Sequence, residues 1–195
     1  LGLKEFPLDI TAIFTSFDSG GSAGVLRDEF GILPPGDVRR GLLALSDEGQ
    51  AEILRELFNY RFQNDNSALH GHSFGNLFLA ALADIYGGEM QGIRKASELL
   101  NIKGKVLPVS LDKSHVHAIL EDGTEIVGET NIDIPKHDGN LRIVKIFLDP
   151  PAHIYEETDR AIREADLVVI GPGDLYSSLV PTLATAGMKE ALKGS

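Results

Sequence analysis

The spacing of apolar residues changes several times along the chain, and each change marks an element. Ile10-Thr11-Ala12-Ile13-Phe14-Thr15 is a continuous, largely β-branched run. Such a run predicts a strand buried on both faces, as in a parallel sheet. Before it, Leu1 to Pro7 reads as the last turn of a helix. After it, Asp18-Ser19-Gly20-Gly21-Ser22-Ala23-Gly24 predicts a loop. Leu33-Pro34-Pro35-Gly36 is a second break, and Asp37 suits a helix start. From Asp37 to Asn101 the period is helical. Ile53, Leu54, Leu57 and Phe58 share one face. Phe74, Leu77, Phe78, Ala81, Leu82 and Ile85 share another, which Gly87-Gly88 ends. Ile93, Ala96, Leu99 and Leu100 give a third, while Gln63 to Leu69 is polar loop.

The period then falls from 3.6 to 2. Val106 to Ser110, His115 to Leu120, Thr124 to Gly128 and Leu141 to Leu148 read as strands, with a hairpin turn at Glu121-Asp122-Gly123. Pro150-Pro151 stops the last strand, and Glu156 to Ala165 is a short helix. Leu167-Val168-Val169-Ile170 predicts another buried strand, which runs into Gly171-Pro172-Gly173-Asp174. A helix with Leu175, Leu179, Leu183 and Met188 follows, interrupted by Pro181. The pattern is α/β: two parallel strands with glycine loops at their ends, a helical block and an antiparallel β excursion. Ligands in open α/β sheets bind at the carboxyl ends of strands, which is where both loops fall.

Composition narrows the class. The chain has 195 residues, 43% hydrophobic and 24% charged, as expected for one globular domain. It has no Cys, so disulfides, thiolate metal sites and a Cys nucleophile are excluded. No apolar run approaches membrane-spanning length, and a cytoplasmic protein is expected. The net charge of −11 works against binding to phosphate backbones, so nucleic acid is not an expected partner, and without a spanning run neither is a membrane. A small anion remains compatible if local donors serve it: backbone N–H groups, helix N-termini and a few arginines.

Three loops carry candidate chemistry. In the first, Asp18 suits a ribose hydroxyl, a ring N–H or a divalent cation. Gly20, Gly21 and Ser22 suit an anion, and Arg27 a phosphate. The alternative is a turn closed by the Asp side chain. The second, Gly71-His72-Ser73-Phe74-Gly75-Asn76, contains the G-x-S-x-G pattern of hydrolases. That pattern needs a preceding strand, and Phe62 to Leu69 is none. It reads instead as a helix start with Ser73 as N-cap and Asn76 one turn along. In the third, Gly171, Gly173, Tyr176, Ser177 and Ser178 suit phosphate, sugar or base, against the alternative of a capped helix with Tyr176 in the core. His115 and His117 share a strand face but lack a third metal ligand. His70, His137 and His153 carry no specific role.

These loops, read together, resemble the YvcK/CofD-like family in order and spacing over nearly the whole chain. The strings are Asp18-Ser19-Gly20-Gly21-Ser22, Leu33 to Arg39, Gly71 to Leu77 and Gly171 to Ser178. Leu42 to Asp47, Gly104 to Pro108 and Glu164-Ala165-Asp166 also match. The resemblance is closer to the YvcK branch of gluconeogenesis factors. It implies a Rossmann-like, mainly parallel sheet in a single domain, and binding of a UDP-sugar or related phosphorylated metabolite. It also implies regulation of carbon metabolism, cell-wall synthesis and cell shape. The enzymatic alternative is transfer of a phospholactyl group to a deazaflavin precursor, with Mg²⁺ as the candidate cofactor at Asp18. The resemblance assigns ligand binding to Asp18, Ser19, Gly20, Gly21, Ser22, Arg27, Asp37, Arg39, His72, Ser73, Asn76, Gly171, Gly173, Tyr176, Ser177 and Ser178, with no catalytic residue. The oligomeric state stays open, a homo-oligomer included. Ser19 replaces a second family carboxylate, Val25 a common Arg and Thr182 an expected Asn. The family's N-terminal glycine loop is expected before Leu1, and a further segment after Ser195.

Overall fold

The computed structural model describes residues 2–47, 52–134 and 138–195, so Leu1 and His137 lie outside it. The fold is mixed α/β, with a parallel pair of strands, a helical block and an antiparallel sheet. Two compact units make up the chain: Leu1–Phe14 with Gly21–Leu107, and Thr15–Gly20 with Pro108–Ser195.

In the first unit a 3₁₀ turn, Gly2–Glu5, precedes β1, Thr11–Phe14. Five helices follow: α1 (Gly21–Phe30), α2 (Gly36–Leu45), α3 (Glu52–Asn59), α4 (Phe74–Tyr86) and α5 (Glu89–Leu99). The chain returns as β2, Lys105–Pro108, beside β1. Lys105 N–H donates to the Ile10 carbonyl at 2.8 Å. β1 is half-buried rather than enclosed on both faces, because β2 is its one partner among the described residues. Gly21 to Gly24 form the first turn of α1 and not the expected loop.

One helix, α4, buries a different face from the one its large residues predict, and α3 and α5 bury only part of theirs. In α4 the buried positions are Gly75, Asn76, Leu79, Ala80 and Ala83, whereas Ile85 is 71% exposed. Small residues win because they let α5 approach: a Cβ on Gly92 would stand 2.8 Å from the Ala83 nitrogen. In α3 only Phe58 is buried; it is fully covered and its ring lies 5.3 Å from that of Phe78. In α5, Met90, Ile93 and Ala96 are buried while Leu99 is exposed.

The second unit contains β3 (His115–Leu120), β4 (Glu125–Val127), α6 (Glu129–Asp133), β5 (Ile143–Asp149) and α7 (Glu156–Arg163). The sheet order is β4-β3-β5, antiparallel, with Ala118 opposite both Ile126 and Ile146. Val116, Ala118 and Leu120 are buried and alternate with outward His115, His117 and Ile119, the period-2 pattern of a one-sided strand. α6 was not legible as a helix, since five residues give no period. The Thr158 hydroxyl on α7 donates to the Pro108 carbonyl at 2.7 Å.

Leu167 to Ile170 do not form the expected buried strand. The run is unpaired among the described residues, and Leu167 is 77% exposed. The expected long helix after it is broken into a π-helical turn, Leu175–Leu179, then α8 (Val180–Ala184) and α9 (Met188–Lys193). Pro181 sits in the first turn of α8, where a missing N–H costs nothing, and Gly187, with φ of 93°, separates α9. No described helix is long and apolar enough to cross a membrane.

Candidate functional site

The most connected polar cluster of the first unit lies at the start of α4. The segment before it folds back on itself rather than forming a strand. Phe62 N–H donates to the His72 carbonyl at 3.0 Å, and Gly71 N–H donates to the Phe62 carbonyl at 2.9 Å. This delivers Ser73 in extended conformation, with φ of −84° and ψ of 133°, into the helix. Ser73 holds the N-cap position but does not cap through its side chain. Its buried hydroxyl donates to the Phe58 carbonyl at 3.3 Å instead. With no strand leading in and that hydroxyl occupied, no nucleophile elbow exists here.

Ser22, in the first turn of α1, ties three groups together. Ser73 N–H donates to its Oγ at 3.3 Å, and Asn76 Nδ2 donates to it at 3.2 Å. His72 Nδ1 lies 3.2 Å from the same oxygen. Arg39, on α2, donates through Nε to Asn76 Oδ1 at 3.1 Å. Its Nη1 donates to the Phe58 carbonyl at 3.1 Å and to Asn59 Oδ1 at 3.3 Å. Gly75 makes this crossing fit, since a Cβ there would lie 2.7 Å from both Arg39 Cδ and the Phe58 carbonyl oxygen. Every hydrogen-bond acceptor of Arg39 is therefore neutral among the described residues. Burial lowers the guanidinium pKa from its ordinary value, and the charges of Arg40 and Arg61 lower it further, partly offset by Asp37. Asp37 itself forms an ion pair with Arg40 at 2.8 Å. Arg27 pairs with Asp28 at 2.9 Å.

The second unit holds the remaining loops. Asp18 Oδ1 accepts Gly20 N–H at 2.8 Å, an Asx turn. A Cβ on Gly20 would meet Thr130 Oγ1 at 2.9 Å. The Ser19 hydroxyl accepts Thr130 N–H at 3.1 Å, so it holds the start of α6. Glu129 was missed by sequence reasoning and faces Asp18. Burial raises its carboxyl pKa above the usual range, Asp18 and Asp133 raise it further, and hydrogen bonds from Ser19 and Thr130 oppose the shift. Only its position after Gly128, behind a hairpin, could have drawn notice. In the Gly171–Ser178 region Tyr176 is exposed, not in the core, and Ser177 is 2% exposed. The Ser177 hydroxyl has no hydrogen-bond partner among the described residues, and neither has that of Thr15. Gly173 approaches Leu179 and Ser178, while Gly171 has open space about it.

Of the strand histidines, His117 is engaged by a carboxylate and a ring. His117 Nδ1 lies 2.7 Å from Glu125 Oε1, and its ring stacks near Phe147 at 5.1 Å. Among the described residues no three His, Asp or Glu side chains are grouped to hold a metal ion. Asp18 and Glu129 are one short of such a set, and Asp18 Oδ1 is occupied by Gly20. A Mg²⁺ held by these two carboxylates would take the rest of its shell from waters and ligand phosphates.

The whole chain, residues 1–195, matches the family model described as 2-phospho-L-lactate transferase CofD. It is 48% identical over 195 residues to the gluconeogenesis factor of Halalkalibacterium halodurans, covering all of this chain and 58% of that protein. It is 46% identical over 183 residues to the gluconeogenesis factor of Bacillus subtilis, covering 93% of this chain and 56% of that one. An X-ray crystal structure of a Bacillus halodurans protein superposes with a TM-score of 0.91 at 47% identity, covering 100% of this chain and 60% of that one. The chain thus spans less than two thirds of the length of these relatives. A full-length family match and relatives at 46–48% identity agree with the fold and with the loops described above: this chain belongs to the CofD family.

Proposed function

We propose that this chain binds a UDP-sugar without turning it over, as a regulator linking gluconeogenic carbon metabolism to cell-wall synthesis. The observation that carries the reading is Arg39. Arg39 is a half-buried cation whose hydrogen bonds all go to neutral oxygens, and the nearby carboxylate, Asp37, is ion-paired with Arg40, so its charge is incompletely balanced. It lies beside the N-terminus of a 13-residue helix, whose dipole adds further positive potential. The diphosphate is the natural complement of this arrangement. Asn76 and His72 orient it, and Ser73 supplies the extended entry to the helix. Asp37 supports the reading by holding Arg40 beside Arg39. The relatives are named gluconeogenesis factors, which supports the metabolic role.

Titration calorimetry with UDP-N-acetylglucosamine tests this reading. Saturable binding is expected for the unaltered chain, and Arg39→Gln should weaken it about ten- to a hundredfold, the cost of a charged hydrogen bond. Equal affinity in Arg39→Gln would remove the anion site. The family model's description favours a second reading, phospholactyl transfer. Product formed from the guanylylated phospholactate donor and the deazaflavin precursor, with Mg²⁺ present, would replace the regulator with the enzyme.

A further inference from the structure

The bonds around Ser22 fix the position of a proton. A hydroxyl oxygen has one hydrogen and two lone pairs. Ser73 N–H and Asn76 Nδ2 each donate to Ser22 Oγ, so both lone pairs are taken. The third contact, to His72 Nδ1 at 3.2 Å, must then use the hydroxyl's own hydrogen. His72 Nδ1 is the acceptor, and the imidazole carries its proton on Nε2. The amide of Asn76 is fixed too. Reversing it would face Arg39 Nε–H with an NH₂ group and give Ser22 an acceptor where it has a donor.

Every donor in this chain points the same way. Arg39 Nε–H donates to Asn76 Oδ1, Asn76 Nδ2–H to Ser22 Oγ, and Ser22 O–H to His72 Nδ1. The chain begins on a fixed positive charge and ends at His72 Nε2–H. No described residue hydrogen-bonds that nitrogen, and the ring is half-exposed. Hydrogen bonds in series polarise one another, so the last donor is strengthened by the first.

We propose that Ser22 is a positioning residue that locks His72 as the Nε2–H tautomer, so that His72 presents a polarised donor to an anionic phosphate oxygen. The Ser22 hydroxyl is saturated by its three partners and does not itself touch the ligand. The ligand part of this inference rests on the anion site proposed above; the tautomer does not. A mirror-image donor set, with Nδ1–H on His72, would require Ser22 Oγ to accept three hydrogen bonds, which its two lone pairs forbid.

The test is long-range ¹H–¹⁵N NMR of the imidazole nitrogens at about pH 8, above the ordinary histidine range. The His72 signals are assigned by their loss in His72→Gln. The ligand-free chain should show a protonated Nε2 and an unprotonated Nδ1. Ser22→Ala should give mixed tautomers and bind uridine diphosphate about tenfold more weakly. Ser22→Thr, which keeps the hydroxyl, should restore both. A protonated Nδ1 in the unaltered chain overturns the proposal, whether or not the nucleotide binds and whether or not Ser22→Ala folds. A single Nε2–H tautomer retained in Ser22→Ala, with unchanged affinity, also overturns the role of Ser22. If the unaltered chain shows Nε2–H but no uridine diphosphate binding, the relay stands and the anion site falls.

Discussion

Glu129 is half-buried, and the negative charge of Asp18 faces it. Both conditions favour the protonated carboxyl, so its folded pKa lies above its unfolded value. Between the two pKa values the folded state binds more protons than the unfolded one, so this group makes stability fall as pH rises through that window. At neutral pH the ionised carboxylate is a standing cost. Glu129→Gln keeps a polar head for Ser19 and Thr130 and removes the charge. Its melting temperature should exceed that of the unaltered chain by a few degrees at neutral pH, with the gain fading as pH falls through the raised folded pKa and gone below the ordinary glutamate value of about 4.3. Thermal melts of both proteins across that range decide the matter. A constant offset would mean that ionisation of Glu129 is not the source. Glu129 lies 111 positions from Asp18 in sequence, and nothing in either local string announces the other.

Elements were legible where period and turn chemistry agree. β3 appears between His115 and Leu120 because alternation and the Asp122-Gly123 turn both demand it. The start of α4 follows Ser73, and its end falls at Gly87, which adopts the left-handed conformation with φ of 76°. What failed was the choice of face. The large residues of α4 define a stripe, yet helix–helix distance is set by the smallest ones, Gly75, Ala80 and Ala83. The candidate site was legible in residue type but not in wiring. Ser22, His72, Ser73 and Asn76 were all visible as ligand candidates, but a sequence does not show that the serine hydroxyl is consumed by the other three. The run Leu167 to Ile170 was legible as a strand by composition and is not paired, because a strand needs a partner as well as propensity. Val169 and Ile170 are 62% and 61% exposed. Four contiguous apolar residues with free backbone groups form an association hazard. Val169→Lys should therefore raise the concentration at which this 195-residue chain stays monomeric and leave its melting temperature unchanged. Light scattering against concentration checks the first, a thermal melt the second. Cooperative loss of stability would show that this side chain is packed rather than exposed.

At the scale of the whole molecule, a net charge of −11 surrounds a site assigned to an anion. The two act over different distances. Arg39 acts at hydrogen-bond range and is partly buried, so salt screens it weakly. The surplus of carboxylates is spread over the surface and acts on a ligand still in solution. At about 10 mM salt the Debye length is roughly 30 Å and an approaching nucleotide feels most of that charge; at about 100 mM it is roughly 10 Å and the field is confined to the near surface. Adding salt over this interval should remove more repulsion than attraction. The association rate of a fluorescent uridine diphosphate analogue, followed by stopped flow, is therefore expected to rise a few-fold from about 10 to about 100 mM salt. The dissociation rate, set by the buried contacts of Arg39, should change little. This is the reverse of the behaviour of a basic site, in which salt slows association. A falling association rate would mean that Arg39, Arg40 and Arg61 project enough positive potential to steer the ligand, and that the acidic balance of the chain lies away from the path of approach.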